Sequence, residues 1–176
     1  HFPSVNWLLS YSNAEQALTP FYTREYPEAV ELRTRVREIL QMEEDLQEIV
    51  QLVGKDSLGE SDKVTLEVAR LIRDDFLQQN AFSEYDAYCP FWKTVYMMKN
   101  IILFYNLCMK AVENSGERSI TFSRIKEAMP QLINGLAQMK FADVKAEGED
   151  NVRAKYAELG TQLEAAFRAL ERSEER

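Results

Sequence analysis

Apolar residues recur along most of this chain at the three- and four-residue spacing of an amphipathic helix, and no segment keeps the two-residue alternation of a half-buried strand. Pro27 suits the first turn of a helix and Glu28 its positive end. Leu32, Val36, Ile39, Leu40, Leu46, Val50 and Val53 then form one stripe, closed by Gly54 as a C-cap. The opposite face carries Arg33, Arg37, Glu43, Glu44 and Glu48 and reads as solvated. After the short loop from Lys55 to Glu60, Ser61 is placed to cap a second helix with the stripe Val64, Val68, Ala69, Ile72 and Phe76. That helix gives out before Asn80. Residues 81–90 then form a loop rich in aromatics, with Phe82, Tyr85 and Tyr88.

Phe91 to Val112 is apolar on nearly every side, which predicts a helix buried at the centre of the fold. Its methionines and rings, and Cys108 among them, fit core filling better than a cofactor box. Thr121 caps a stripe of Ile125, Met129, Leu132, Leu136 and Met139, and Pro130 inside it demands a kink or a restart. Phe141 to Glu149 reads as a polar connection. Val152, Tyr156, Leu159, Leu163, Phe167 and Leu170 form a last stripe, suited to a bundle helix or a coiled-coil seam. From Ser173 onward the chain should fray. The fold class is all-α, a bundle of about five to six helices.

Composition narrows the chemistry. A chain of 176 residues that is 45% hydrophobic can build one sizeable core. Its net charge of −8 argues against a nucleic-acid partner, since phosphate backbones are gripped by clustered cations. Two cysteines cannot make a disulfide scaffold and fit a reducing compartment. The one histidine, His1, leaves no material for a Ser-His-Asp triad or an interior His-based zinc site. Gly54-Lys55 imitates a phosphate loop but lacks its upstream glycine (Ile49 stands there) and its Ser or Thr (Asp56 follows). Neighbouring acids such as Asp74 and Asp75 point to different helix faces and share no proton. No apolar run approaches the ~20 residues of a membrane span. The opening, without Met and without a signal peptide, reads as a cut through a longer protein.

Three strings go further: His1 to Ser12 (His-Phe-Pro-Ser-Val-Asn-Trp-Leu-Leu-Ser-Tyr-Ser), Glu48 to Leu58 (Glu-Ile-Val-Gln-Leu-Val-Gly-Lys-Asp-Ser-Leu), and Phe76 to Phe82 with Tyr88-Cys89-Pro90-Phe91. Together they closely resemble the C-terminal domain of the catalytic A subunits of eukaryotic V-type proton ATPases. The resemblance is dense from His1 to about Met98 and looser through the last two helices. It implies a hetero-oligomeric ring of alternating A and B subunits that hydrolyses ATP and drives a central-stalk rotor subunit, which turns a proton-moving membrane ring. On that reading residues 1–24 are the junction to a nucleotide-binding domain, and residues 25–176 are the helical bundle. That other domain would hold the phosphate loop, the catalytic carboxylate and magnesium, so this chain alone should be inactive. The location implied is peripheral, on the cytoplasmic face of vacuolar or other endomembranes.

The resemblance also assigns roles. Asp56, Ser57, Leu58, Gly59, Glu60 and Ser61 occupy the position of the rotor-facing, acid-rich helix-turn-helix tip of the related ATP synthase β subunit. Ser57, Gly59 and Ser61 make this tip less acidic, which a steric push survives better than an electrostatic grip. The residues themselves also suit a plain hairpin turn. Phe2 matches an aromatic lining the adenine pocket, with Tyr88 as second wall, or Phe82 or Tyr85 in its place. Stacking on a purine and simple hinge packing both suit these rings. Cys89 matches a cysteine that pairs reversibly with one in the phosphate loop; a small buried hydrophobe is the other reading. Two rival functions stay open at this point: a stand-alone helical adaptor binding a partner helix through its last helix, and an archaeal-type rotary ATPase or synthase.

Overall fold

The computed structural model describes residues 27–77, 91–113 and 120–176. They form seven α-helices: α1 (Pro27–Val53), α2 (Glu60–Leu71), α3 (Phe91–Glu113), α4 (Phe122–Ala128), α5 (Pro130–Gln138), α6 (Val144–Glu147) and α7 (Glu149–Glu174). A 3-10 turn, Lys55–Ser57, joins α1 to α2, and a π-helical turn, Ile72–Leu77, continues α2. A second 3-10 turn, Met139–Phe141, follows α5. The count exceeds five to six because Pro130 starts a new helix at its N1 position after Met129 leaves the helical conformation, and because the polar connection holds one helical turn capped by Asp143.

α3 is the axis of the bundle. It packs against α1, α2 and α7, and twelve of its residues are buried, while Lys99, Asn106, Lys110 and Glu113 keep one narrow face in solvent. Its neighbours run in defined directions. Glu28 pairs with Lys99 and the Arg35 guanidinium lies over the Tyr105 ring, so α1 runs parallel to α3. Arg153 lies over Trp92, and Phe104 meets Phe167 edge-on at 6.2 Å, so α7 is parallel to α3 as well. α4, α5 and α6 make the return crossing.

Gly160 allows α7 to approach closely. A Cβ there would lie 3.1 Å from Asn100 Oδ1. The buried Asn100 amide donates instead to the Tyr156 carbonyl at 3.0 Å. The α7 stripe of Val152, Tyr156, Leu163, Phe167 and Leu170 is therefore spent on the bundle core. No apolar face of that helix is left for a partner helix, which removes the adaptor reading that relied on it.

Four other expectations are corrected. Arg33 and Glu43, placed on the solvated face of α1, are 5% and 9% exposed; at Glu43 the π-turn brings Arg73 against the carboxylate. Ser61 does not cap α2; the helix starts at Glu60, with Gly59 at the cap position and no side-chain cap. Ser173 and Glu174 do not fray: Ser173 donates to the Leu170 carbonyl and Glu174 pairs with Arg124 at 3.0 Å. Val53, assigned to the apolar stripe, is 59% exposed. Thr121 caps as expected, its hydroxyl oxygen accepting from the Arg124 amide. Cys108 is fully buried, and burial pushes its thiol well above the usual range, which keeps it inert.

Candidate functional site

The tip of the α1–α2 hairpin brings together six of the residues singled out from the sequence. Gly54 makes the bend possible: its φ is +86°, where a side chain would be strained, and its amide still donates to the Val50 carbonyl at 2.9 Å. The 3-10 turn that follows exposes Asp56 and Ser57, with Ser57 donating back to the Val53 carbonyl at 3.0 Å. Leu58 turns inward and is buried, which anchors the turn to the body. Gly59 is exposed, while Glu60 and Ser61 are half-buried at the start of α2.

Glu60 has a defined internal task. One carboxylate oxygen accepts from the Phe122 amide at 2.8 Å, and the other accepts from Lys63 at 3.2 Å. The Phe122 amide is one of the donors that a helix start leaves without an intrahelical partner. Glu60 thus completes the cap that Thr121 begins, and it ties the hairpin to α4 across 62 residues of sequence. The Phe122 amide, helped by Lys63, holds the Glu60 carboxyl below its ordinary value of 4.5. The groups of this tip that face solvent are therefore Asp56, Ser57 and Gly59.

Beside them lies an apolar surface, of which the sequence reading placed Val53 in the buried stripe. Ile49 is 46% exposed, Leu52 85% and Val53 59%. They occupy the last two turns of α1, directly before Gly54. The signal was present in the string Ile-Val-Gln-Leu-Val: apolar residues at 49, 50, 52 and 53 cover too wide an arc for one buried stripe. Phe2, Phe82, Tyr88 and Cys89 lie outside the described residues, as do Tyr85 and the junction 1–24. Among the described residues no group of three or more acidic, Cys or His side chains could hold a metal ion. No described helix is long and apolar enough to cross a membrane.

Comparison with known proteins gives these features a context. Residues 18–120 match the family model described as the C-terminal domain of V and A type ATP synthase. Over 173 residues the chain is 57% identical to the catalytic A subunit of the V-type proton ATPase of Caenorhabditis elegans, covering 97% of this chain and 28% of that protein. It is 54% identical to the protein of the same description from Manduca sexta, over the same shares. The corresponding Dictyostelium discoideum protein is 56% identical over 96% of this chain and 27% of its own length. The chain thus spans little more than a quarter of the curated relatives it matches.

The Glu60 bridge makes a pH prediction. A carboxylate whose folded pKa is depressed contributes stability above its unfolded value, and that contribution is lost as pH falls through the folded value. Glu60→Gln should lower stability by about 1 kcal/mol at neutral pH. It should also flatten the fall in stability expected of the native chain as acid protonates this carboxylate. Urea midpoints taken from neutral pH down to about pH 3 would test this; parallel profiles for the two proteins would refute it.

Proposed function

The chain belongs to the family of C-terminal domains of V and A type ATP synthases, and from that premise we propose that it is the mechanical end of the catalytic subunit of a proton-pumping V-type ATPase. In this reading ATP hydrolysis takes place at another domain of the same subunit, within a ring of alternating A and B subunits. The helical bundle moves with each nucleotide step and pushes the central stalk. The pump sits peripherally, on the cytoplasmic face of a vacuolar or other endomembrane.

One observation carries the proposal: the apolar end of α1 is uncovered at the hairpin tip. Leu52, Val53 and Ile49 gain nothing from water, and a contiguous exposed apolar surface of this kind marks a contact site. Asp56 is the one carboxylate among the solvent-facing groups of the turn, so the push is steric and apolar rather than electrostatic. α1 suits the task as a lever: 27 helical residues give it a length of about 40 Å, and its inner face is packed on α2 and α3. In the assembled pump, Leu52→Ser with Val53→Ser should leave ATP hydrolysis running while proton transport per ATP falls. Both side chains are exposed, so the fold should survive. Unchanged coupling would sink the rotor role.

Phe2 and Tyr88, with Phe82 as a further ring, close the adenine pocket by stacking on the purine. Stacked rings hold a flat base while allowing domain movement. Phe2→Ala with Tyr88→Ala in the whole subunit should raise the KM for ATP by about tenfold or more. An unaltered KM would return these rings to hinge packing.

Cys89 acts as a redox brake. Its thiol and a phosphate-loop thiol together give two electrons and two protons to an oxidant, forming one disulfide that locks the site; a reducing thiol reverses it. Oxidant inhibition that thiols relieve should vanish in Cys89→Ser. Inhibition that persists in that variant would clear Cys89.

A further inference from the structure

On a chain of net charge −8, one concave surface runs against the trend. A groove of about 290 Å³ lies between the end of α1, α2 and α4. Five cationic side chains line it: Lys55, Lys63, Arg70, Arg73 and Lys126. Three already hold carboxylates. Arg73 pairs with Glu43 at 2.8 Å, Lys63 with Glu60 at 3.2 Å, and Arg70 with Glu67. Lys55 and Lys126 have no ion pair among the described residues; the Lys126 ammonium lies over the Phe122 ring, 5.2 Å from its centroid. Two positive charges in the groove are therefore left uncompensated.

We propose that this groove binds a small phosphoryl anion, with Lys55 and Lys126 neutralising its charge. A phosphoryl group near neutral pH carries between one and a half and two negative charges and three acceptor oxygens. Those charges match what the groove lacks. Lysine ammoniums are compact point charges suited to phosphate, and each has three donors to share. Arg70 and Arg73 have further N–H donors beyond those given to Glu67 and Glu43. The stems of Val50 and Leu66 line the same space and lower its dielectric, which strengthens the attraction. The volume sits at the bottom of the range for small-molecule sites, too small for a folded partner's side or a long peptide. A metal cation is excluded by charge. An anion held by both lysines would tie the turn at the hairpin tip to α4, where Glu60 already makes one such tie.

The same chemistry can come from free phosphate or diphosphate, or from a phosphorylated lipid headgroup. Titration calorimetry of the 176-residue chain with phosphate and with diphosphate tests the site directly. Native chain should bind diphosphate, and more weakly as salt rises. The double variant Lys55→Gln with Lys126→Gln, which breaks no ion pair, should keep its melting temperature and lose affinity by about tenfold or more. Equal affinity in the double variant, or no binding by the native chain at tens of millimolar, overturns the proposal. Vesicles of phosphatidylcholine with and without a monophosphorylated phosphatidylinositol separate the sources. Binding that needs the phosphorylated lipid, that diphosphate displaces and that the double variant lacks identifies a headgroup; binding of free anion alone identifies a soluble one. An oligoglutamate peptide that binds where diphosphate does not would replace the phosphoryl assignment with an acidic protein segment.

Discussion

The carbonyl groups of one short turn, Met139–Ala142, fasten this bundle. The Lys93 ammonium, 3% exposed on α3, donates to the Ala142 carbonyl at 2.9 Å and to the Lys140 carbonyl at 3.3 Å. The Tyr156 hydroxyl on α7 donates to the Met139 carbonyl. Lys140 reaches the other way, to Asp75 at 2.6 Å in the π-turn after α2. An apolar core is indifferent to small slips of one helix along another, because burial has no direction. Hydrogen bonds to fixed carbonyls are directional, and an ammonium buried without them would be severely penalised. This turn therefore sets the register of α3, α7 and the end of α2 together. Among the described residues no buried side-chain nitrogen or oxygen is left without a partner.

A body fastened in this way can carry a stiff projection. The far half of α1 extends past the centre of the core, and its exposed apolar residues are a cost that the isolated chain bears. Glu60 and Leu58 limit the freedom of the turn, one by a charged hydrogen bond to α4 and the other by burial. A push applied at such a tip is passed to the core rather than absorbed by a soft loop. The same architecture explains why basic side chains gather beside the tip. Arg73, Lys63 and Arg70 are positioned by structural carboxylates, and Lys55 and Lys126 fall into the space between them.

Much of the fold was legible in residue order. Helical spacing located α1, α2, α3 and α7, and Pro130 and Thr121 marked where helices begin, because capping and ring geometry act within a few residues. The all-round apolar character of Phe91 to Val112 identified the central helix before any neighbour was known. The hairpin tip was located by resemblance, through Glu48 to Leu58.

What periodicity could not decide was which neighbour covers which face. Glu43 looks like a surface acid until Arg73, 30 residues away, is folded against it. Val53 looks like core until α1 is seen to outrun the helices that cover it. Glu60 serves an amide 62 residues distant, and Lys55 shares a groove with Lys126. Residue order alone located the long helices, the starts at Thr121 and Pro130 and the central place of α3, because those follow from contacts a turn or two apart. The pairing of Arg73 with Glu43, the bare tip and the basic groove came only with the tertiary structure, because burial and charge compensation belong to residues that meet only when the chain closes on itself.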